Sequence, residues 1–314
     1  MKKYLAWIGL SLVSIFSLAA CGADDNEDTA NSGDGPLKVV TSFTIIADMA
    51  REIGGEFVEV HNLVPTGTDP HEYEPLPNDI KAATDADVLF YNGLNLEGGK
   101  KGWFFKMIDT VNQKEENVFS LTERVEPMYL TDKDGREEEI NPHAFIDPAV
   151  GVKMAEDMRD ILVKRHPSKS EEIQKRGDAY VQRLKEIDKE YEERIKDIPE
   201  KNRILVTSER AFQYMASHYG LMEAYIWEID TEENGSPTQI KNLVDFIKSH
   251  DVSVLFMESN VDPRPMETVA NETGVRIAEK KIYSDEIGKP NDEVNTYIKY
   301  LKYNINLIHE ELSK

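Results

Sequence analysis

Four segments of the chain carry an imidazole or a carboxylate in a place where a side chain could bind a metal ion. His71 lies in a loop flanked by prolines, and another proline directly precedes His143. Glu209 follows a β-rich run, and Asp285 lies in a short polar segment. A lone loop histidine is more often solvated than a ligand, and an acid after a strand is more often exposed or at a helix start. No HExxH or CxxC spacing groups the four, so a metal site and four unrelated polar residues both remain open.

Alternating β-rich runs and helical periodicities predict the elements that must position these side chains. Strands are predicted at 37–42, 57–64, 87–91, near 118, and at 203–208, 225–227, 252–257 and 275–278. Helices are predicted at 45–53, 78–86, 103–111, 211–219, 237–249, 266–272 and 292–312. This alternation favours an α/β fold with mainly parallel sheets flanked by helices. Ligands of such sheets usually bind beyond the carboxyl ends of the strands.

The segment 167–198 has a different pattern. Apolar residues recur at steps of three, four and seven, charged residues fill the gaps, and Pro167 and Pro199 bracket the run. This predicts one long amphipathic helix. A coiled coil would need several clean heptads, and Gly177 interrupts them. The sequence therefore predicts an N-terminal α/β lobe (37–166), a linking helix (167–199) and a C-terminal α/β lobe (200–314).

The composition limits the classes of partner. The 314 residues include 37 Lys and Arg against 59 Asp and Glu, and the formal net charge is −22. Such an acidic surface argues against nucleic acid and anionic membrane faces as partners, because both would repel it. The single cysteine, Cys21, excludes an intramolecular disulfide and a cysteine-based zinc site.

The N-terminus is typical of an exported protein. Residues 1–20 combine two early lysines with an apolar stretch that is short for a membrane span, so we interpret them as a signal peptide. Leu18-Ala19-Ala20-Cys21 resembles the bacterial lipobox, which implies cleavage before Cys21 and a lipid on its sulfur. An ordinary secretory peptide with an incidental cysteine is the alternative. Residues 21–36 are polar and acidic, and we expect them to form a flexible tether.

Taken together, the motifs resemble the cluster A-I metal-binding lipoproteins, the solute receptors of bacterial manganese and zinc ABC importers. The matching segments occur in the family's order over essentially the whole chain. They are the lipobox at 18–21, 68–75, Asn141-Pro142-His143 with Asp147, Thr207-Ser208-Glu209 with Ala211-Phe212, and Ser284-Asp285 with Ile287-Gly288. The resemblance implies two α/β lobes joined by one long rigid helix. It also implies that His71, His143, Glu209 and Asp285 are the metal ligands.

The chain departs from the family pattern at two positions. Phe145 stands where Trp is common, which changes only an aromatic lining. Arg210 stands where Gly is common and would weaken metal binding if it pointed into the site. We expect its side chain to point away, because neighbouring residues face apart along a strand.

The implied ligand set has consequences for the ion. Two neutral imidazoles and two carboxylates cancel the charge of a divalent cation, so the ion can be buried. A carboxylate at 209 in place of a third histidine suits Mn²⁺ better than tetrahedral Zn²⁺. The chain also lacks the long His-rich loop of many zinc receptors in the family. The expected cargo is therefore Mn²⁺, with Zn²⁺ or Fe²⁺ as alternatives.

We do not expect Glu258 or the other histidines to be metal ligands. Glu258 follows the predicted strand 252–257, and we expect it either to support a ligand histidine or to be a structural acid. The five remaining histidines lie in predicted strands or near helix ends, and we do not expect them to touch the metal. They are His61, His166, His218, His250 and His309.

The resemblance implies a monomeric receptor on the outer face of the cell membrane, anchored by the lipid on Cys21. It would capture Mn²⁺ between its lobes and deliver it to an ABC permease with its ATPase subunit, without acting as an enzyme. A zinc receptor of the same fold is the nearest alternative. A surface metallohydrolase is another, although catalytic zinc normally keeps three protein ligands and an open water position. An adhesin is a third, with no residue pattern in its favour.

Overall fold

The computed structural model describes residues 35–130, 140–229 and 235–314. The predicted signal peptide, Cys21 and nearly all of the predicted tether lie outside the described residues. Within the described residues, no helix is both long and apolar enough to cross a membrane.

A four-stranded parallel sheet forms the first part of the fold. Its strands are β1 (Leu37–Phe43), β2 (Val58–Val64), β3 (Val88–Tyr91) and β4 (Val118–Ser120), and their spatial order is β2-β1-β3-β4. Parallel strands need crossover connections, which helices provide here. These are α1 (Thr44–Gly54), α2 (Pro77–Asp85) and α3 (Trp103–Val111). The sequence predicted all seven elements, with small differences at their ends.

The helix α4 (Pro148–Arg165) was not predicted from the sequence. Asp147 caps it by accepting a hydrogen bond from the Ala149 amide at 2.9 Å, and Pro148 occupies its first position. Both are typical signals of a helix start. The buried residues of α4 do not form one clean stripe, which is why helical periodicity alone missed the element.

The predicted long helix is confirmed as α5 (Ser170–Asp197), which has 28 residues and is therefore about 42 Å long. It packs against α1 and α4, and its buried residues are those of the predicted apolar face. The Gly177 that interrupts the heptads also has a packing role. A methyl group at Gly177 would collide with the side chain of Arg159 on α4.

A second, smaller parallel sheet follows, formed by β5 (Ile204–Glu209) and β6 (Met222–Trp227). The helices of this part are α6 (Gln213–Tyr219), α7 (Pro237–Ser249), α8 (Arg264–Thr273) and α9 (Tyr297–Leu312). The predicted start of the last helix at 292 was too early. The Thr296 side chain caps α9 by accepting from the Lys299 amide at 3.2 Å.

The strands predicted at 252–257 and 275–278 are wrong as regular strands. Only single parallel bridges connect these regions, Leu255 with Ile277 and Glu258 with Ile282. The Phe256 amide still donates to the Val206 carbonyl at 2.8 Å, so the segment lies beside β5. It is buried as predicted, but it makes too few successive ladder bonds to count as a strand. This irregular course brings Glu258 next to the end of β5.

The α/β class with parallel sheets flanked by helices and one long helix is confirmed. One apolar core extends from the first sheet through α4, α5 and α9 into α6, and a smaller core lies between β6, α7 and α8. The lobe boundaries at 166/167 and 199/200 stay a prediction.

Candidate metal centre

The structure brings the four predicted ligands together. His71 lies in the loop after β2, and His143 begins a 3-10 turn that ends at Ile146. Glu209 is the last residue of β5, and Asp285 follows the bridge at Ile282. Potential ligand atoms of His71, His143 and Glu209 all lie within 4.8 Å of one another. The Nε2 atom of His143 is 3.6 Å from Oε1 of Glu209 and 3.1 Å from Oδ1 of Asp285.

The cluster contains buried polar atoms that no described residue satisfies. They are both ring nitrogens of His71, Nε2 of His143 and Oδ1 of Asp285. A buried polar atom without a hydrogen-bond partner costs about 1–3 kcal/mol, so such atoms are rare in native proteins. Nitrogen and oxygen atoms that converge without protons between them are what a cation would satisfy. The geometry therefore has the donor set and burial of a site for one divalent transition metal.

Hydrogen bonds fix the tautomer of His143. The Asn141 side chain donates to the carbonyl of Arg210 at 2.8 Å and to Oε1 of Gln213 at 3.0 Å. Its oxygen must therefore face His143, where it accepts from the backbone amide at 3.0 Å and lies 2.9 Å from Nδ1. The proton of the neutral ring thus resides on Nδ1, and the lone pair on Nε2 faces the two carboxylates. Asn141 belongs to the Asn141-Pro142-His143 motif, but the sequence alone did not predict that it orients the His143 ring.

The pKa shifts favour the protonation states that bind a cation. Burial and the neighbouring His143 lower the pKa of His71, with a partial opposing effect of Asp285 and Asp69, so its ring is held neutral. Burial raises the pKa of Asp285, but the neighbouring imidazoles of His143 and His71 and the hydrogen bond from Asn260 lower it more. Its pKa lies below the ordinary range, and the carboxylate is ionised. Metal ligands must be deprotonated in this way.

Glu258 supports a predicted ligand, but not a histidine. Its fully buried carboxyl accepts from the backbone amides of Ser208 and Glu209, each at 2.9 Å from Oε1. These contacts favour the structural acid among the two expectations, because the irregular segment places Glu258 at the end of β5. Burial raises its pKa to about 7, although the amide hydrogen bonds oppose the shift. Glu258 holds the backbone that carries Glu209.

The two departures from the family pattern leave the site intact. The Arg210 guanidinium pairs with Glu223 at 2.7 Å and lies 5.1 Å from the centre of the Tyr225 ring. The prediction that it points away from the site is confirmed. Phe145 packs edge-on against His143 and Phe43, so an aromatic ring still lines the predicted ligand.

The remaining five histidines have contacts outside the cluster. Their nearest polar partners are Asp79 for His61, Ser168 for His166, Asp147 for His218, the Phe246 carbonyl for His250 and Asp197 for His309. These hydrogen-bond partners are not among the four predicted ligands.

A protein-family model matches residues 39–311, and its description is zinc-uptake complex component A, periplasmic. The chain belongs to this family. As a zinc-uptake component A family member, it is a substrate-binding component of a metal ABC transporter and not an enzyme. The resemblance inferred from the motifs is thereby confirmed.

Individual relatives agree with this assignment. The metal ABC transporter substrate-binding lipoprotein SsaB of Streptococcus sanguinis is 40% identical over 100% of both chains. The manganese ABC transporter substrate-binding lipoprotein PsaA of Streptococcus anginosus is 39% identical over the same full coverage. Among solved structures, the periplasmic zinc-binding protein TroA of Treponema pallidum is 25% identical. It aligns with 89% of this chain and 100% of its own, with a TM-score of 0.79. The similarity of this family member thus extends to relatives named for two different metals.

Proposed function

We propose that this chain captures one Mn²⁺ ion with His71, His143, Glu209 and Asp285 and delivers it to an ABC permease. The observation that carries the proposal is the convergence of buried donor atoms from two imidazoles and two carboxylates. The set balances the charge of a divalent ion, so the ion needs no further counter-charge when it is buried. All four side chains bind the cargo, and no bond is made or broken.

Two considerations support manganese as the physiological cargo. Two carboxylates supply oxygen ligands that can bind through one or two atoms, which suits the higher coordination number of Mn²⁺. The 39% identical PsaA is named for manganese. At a given site Zn²⁺ normally binds more tightly than Mn²⁺, so the proposal concerns the ion that is transported and not the tightest binder.

The proposed location follows from the N-terminal sequence and the lipoprotein names of the relatives. We propose that cleavage before Cys21 and lipid attachment to its sulfur anchor a monomer to the outer face of the cell membrane. The acidic tether then allows the receptor to reach the permease, whose ATPase subunit drives transport.

The proposal is tested by loading metal-free protein with Mn²⁺ and with Zn²⁺ separately and measuring the metal content. We expect one ion per chain in both cases, and loss of binding in the double variant His71→Ala, Asp285→Ala. A matched control is His250→Ala, Asp251→Ala, which removes an exposed histidine and an exposed acid outside the cluster. Retention of a single tight site in the first variant, or its loss in the control, would contradict the assignment of ligands.

A zinc receptor is the second candidate, because TroA is named as a zinc-binding protein. Complementation separates the two functions. A bacterial strain that lacks its own manganese and zinc importers is given this chain with its permease and ATPase. Growth restored by micromolar Mn²⁺ supports the proposal, whereas growth restored only by Zn²⁺ would replace it with the zinc function.

A further inference from the structure

Three hydrogen bonds join two distant parts of the chain at the edge of the metal centre. The Gly67 amide donates to Oε2 of Glu286, and the Thr66 hydroxyl donates to the Ile287 carbonyl at 3.0 Å. The Ile287 amide in turn donates to the Thr44 hydroxyl at 3.2 Å. We call this set, Thr44, Thr66, Gly67, Glu286 and Ile287, the Glu286 strap. It fastens the segment after Asp285 to the carboxyl ends of β1 and β2.

The Glu286 strap lies beside two of the proposed ligands. Asp285 immediately precedes Glu286, and His71 lies four residues after Gly67 in the same loop. No described residue hydrogen-bonds the ring nitrogens of His71. Its position therefore depends on its backbone, which Asp69 holds by accepting from the His71 amide at 2.7 Å. A loop that carries a ligand needs such external supports to keep the ligand in place.

A cavity of about 280 Å³ reaches the metal centre next to the strap. Gly67, Asp69, Asn260, Asp285 and Glu286 are among the residues that line it. Asp285 is only 4% exposed, whereas Glu286 is half-buried. The hydrogen bond from the Gly67 amide to Glu286 therefore lies at the cavity, between the buried Asp285 and solvent. Breaking it would remove one of the hydrogen bonds that connect the two ligand-bearing segments.

We propose that the Glu286 strap holds the His71 loop and the Asp285 segment together around the bound ion and thereby slows its release. Glu286 is a positioning residue, because its Oε2 atom accepts from Gly67 and the residue acts through Asp285 and His71. The inference rests on the proposed function, since it assigns the strap to the same site. The alternative is that Glu286 acts only through its negative charge near a cation.

The two explanations differ in the effect of a neutral hydrogen-bond acceptor. Glu286→Gln removes the charge but keeps an oxygen that can accept from the Gly67 amide, whereas Glu286→Ala removes both. Glu286→Ala removes a hydrogen bond to a charged group, which is stronger than a hydrogen bond between neutral groups. We therefore expect Mn²⁺ to dissociate about tenfold faster from this variant. Glu286→Gln should stay within about threefold of the wild type. Thr66→Val removes only the bond to Ile287 and should accelerate release about threefold.

The experiment measures Mn²⁺ dissociation by stopped flow after mixing with excess chelator, using the chain from residue 22 onward, without the predicted signal peptide and Cys21. Glu293→Ala is the matched control, because Glu293 is an exposed acid in the same region outside the strap. We expect wild-type rates from it. Melting curves of the metal-free variants verify folding, and Thr66→Val provides the second test if Glu286→Ala fails to fold.

Each outcome decides the proposal. Rapid release from both Glu286→Ala and Glu286→Gln would show that charge matters and would overturn the strap. Wild-type rates in Glu286→Ala and Thr66→Val would overturn it as well. In these cases the wild type still binds Mn²⁺, and the proposed function survives. A wild type that binds no Mn²⁺ would overturn the proposed function and the strap together.

Discussion

The surroundings of His143 and His71 differ in how they hold an imidazole. The His143 ring is completely buried, and the amide chain from Gln213 through Asn141 fixes its tautomer. His71 belongs to a loop, and no described residue hydrogen-bonds its ring. One half of the candidate site is thus ready before the ion arrives, whereas the other half depends on backbone supports. We therefore expect His143 to be oriented before the ion binds, and the supports of the His71 loop to matter mainly for keeping the ion bound.

The largest effect on Mn²⁺ affinity should come from replacing each of the two histidines in turn. Both His143→Ala and His71→Ala should weaken Mn²⁺ binding more than about 100-fold, since even indirect partners of a metal matter 10–100-fold. The metal-free proteins should differ. His143→Ala removes one of the two hydrogen-bond partners of the Asn141 oxygen and the imidazole between two carboxylates, which should lower the free energy of unfolding by about 3 kcal/mol. His71→Ala should change it by less than about 1 kcal/mol, because buried nitrogens without partners are removed.

Denaturant unfolding of the two metal-free variants measures this contrast, and calorimetry measures the affinities. Equal losses of stability would contradict the distinction between the two regions. A large loss in His71→Ala alone would reverse it.

A second test compares the hydrogen bonds that support each histidine. Asn141→Ala removes the acceptor from the His143 ring and should reduce Mn²⁺ affinity about 10–100-fold, the range found for such indirect partners. Asp69→Ala removes the acceptor from the His71 backbone amide and leaves its ring unchanged. We expect its effect to be less than about tenfold. Titration of each variant with Mn²⁺ gives the two affinities, and a larger loss in Asp69→Ala would disagree with the comparison.

The smallest expected effect is a change of folding stability with pH, caused by the His218–Asp147 pair next to the His143 turn. His218 hydrogen-bonds Asp147, the residue that caps α4 just after this turn. That hydrogen bond, and the charges of Asp147, Asp188 and Glu192, raise the pKa of His218 above 6.5, although burial opposes the shift. Protonated His218 therefore stabilises the fold fully below pH 6.5, and the contribution is lost as pH rises through the raised pKa.

The measurement compares the unfolding free energies of the wild type and His218→Gln at pH 6 and pH 9. The wild type should be more stable by less than about 1 kcal/mol at pH 6, because the pair is partly exposed. The difference should shrink at pH 9. A difference that grows with pH would contradict the assigned sign.

Local patterns predicted the regular parts of this fold and failed where tertiary contacts decide the structure. The amphipathic stripe of α5 and the apolar runs of β1, β2 and β3 follow directly from periodicity. The helix α4 was missed because it is buried on more than one side, although Asp147 and Pro148 mark its start. The run 252–257 was overpredicted because burial and β propensity do not ensure successive ladder bonds.

The candidate site could be predicted residue by residue but not as a group. His71, His143, Glu209 and Asp285 are far apart in sequence, and only the family resemblance joined them. Their convergence depends on how segments from two separate sheets, a 3-10 turn and an irregular segment pack together, which sequence spacing cannot reveal. The roles of Asn141 and Glu258 depend on the directions of individual hydrogen bonds. Such directions follow from packing and leave no periodic signal in the sequence.

The cavity beside Asp285 also bears on how an ion loses its water. Six water molecules, the number that an octahedral ion carries, occupy about 180 Å³ at about 30 Å³ each. The cavity has about 280 Å³, and Asp69, Asn260, Asp285 and Glu286 are among the residues that line it. The cavity volume thus exceeds that of the six waters, so a cation here can keep part of its hydration shell while protein oxygens replace its waters one at a time. Stepwise dehydration divides one high activation barrier into several lower ones, so uptake need not wait for a bare ion.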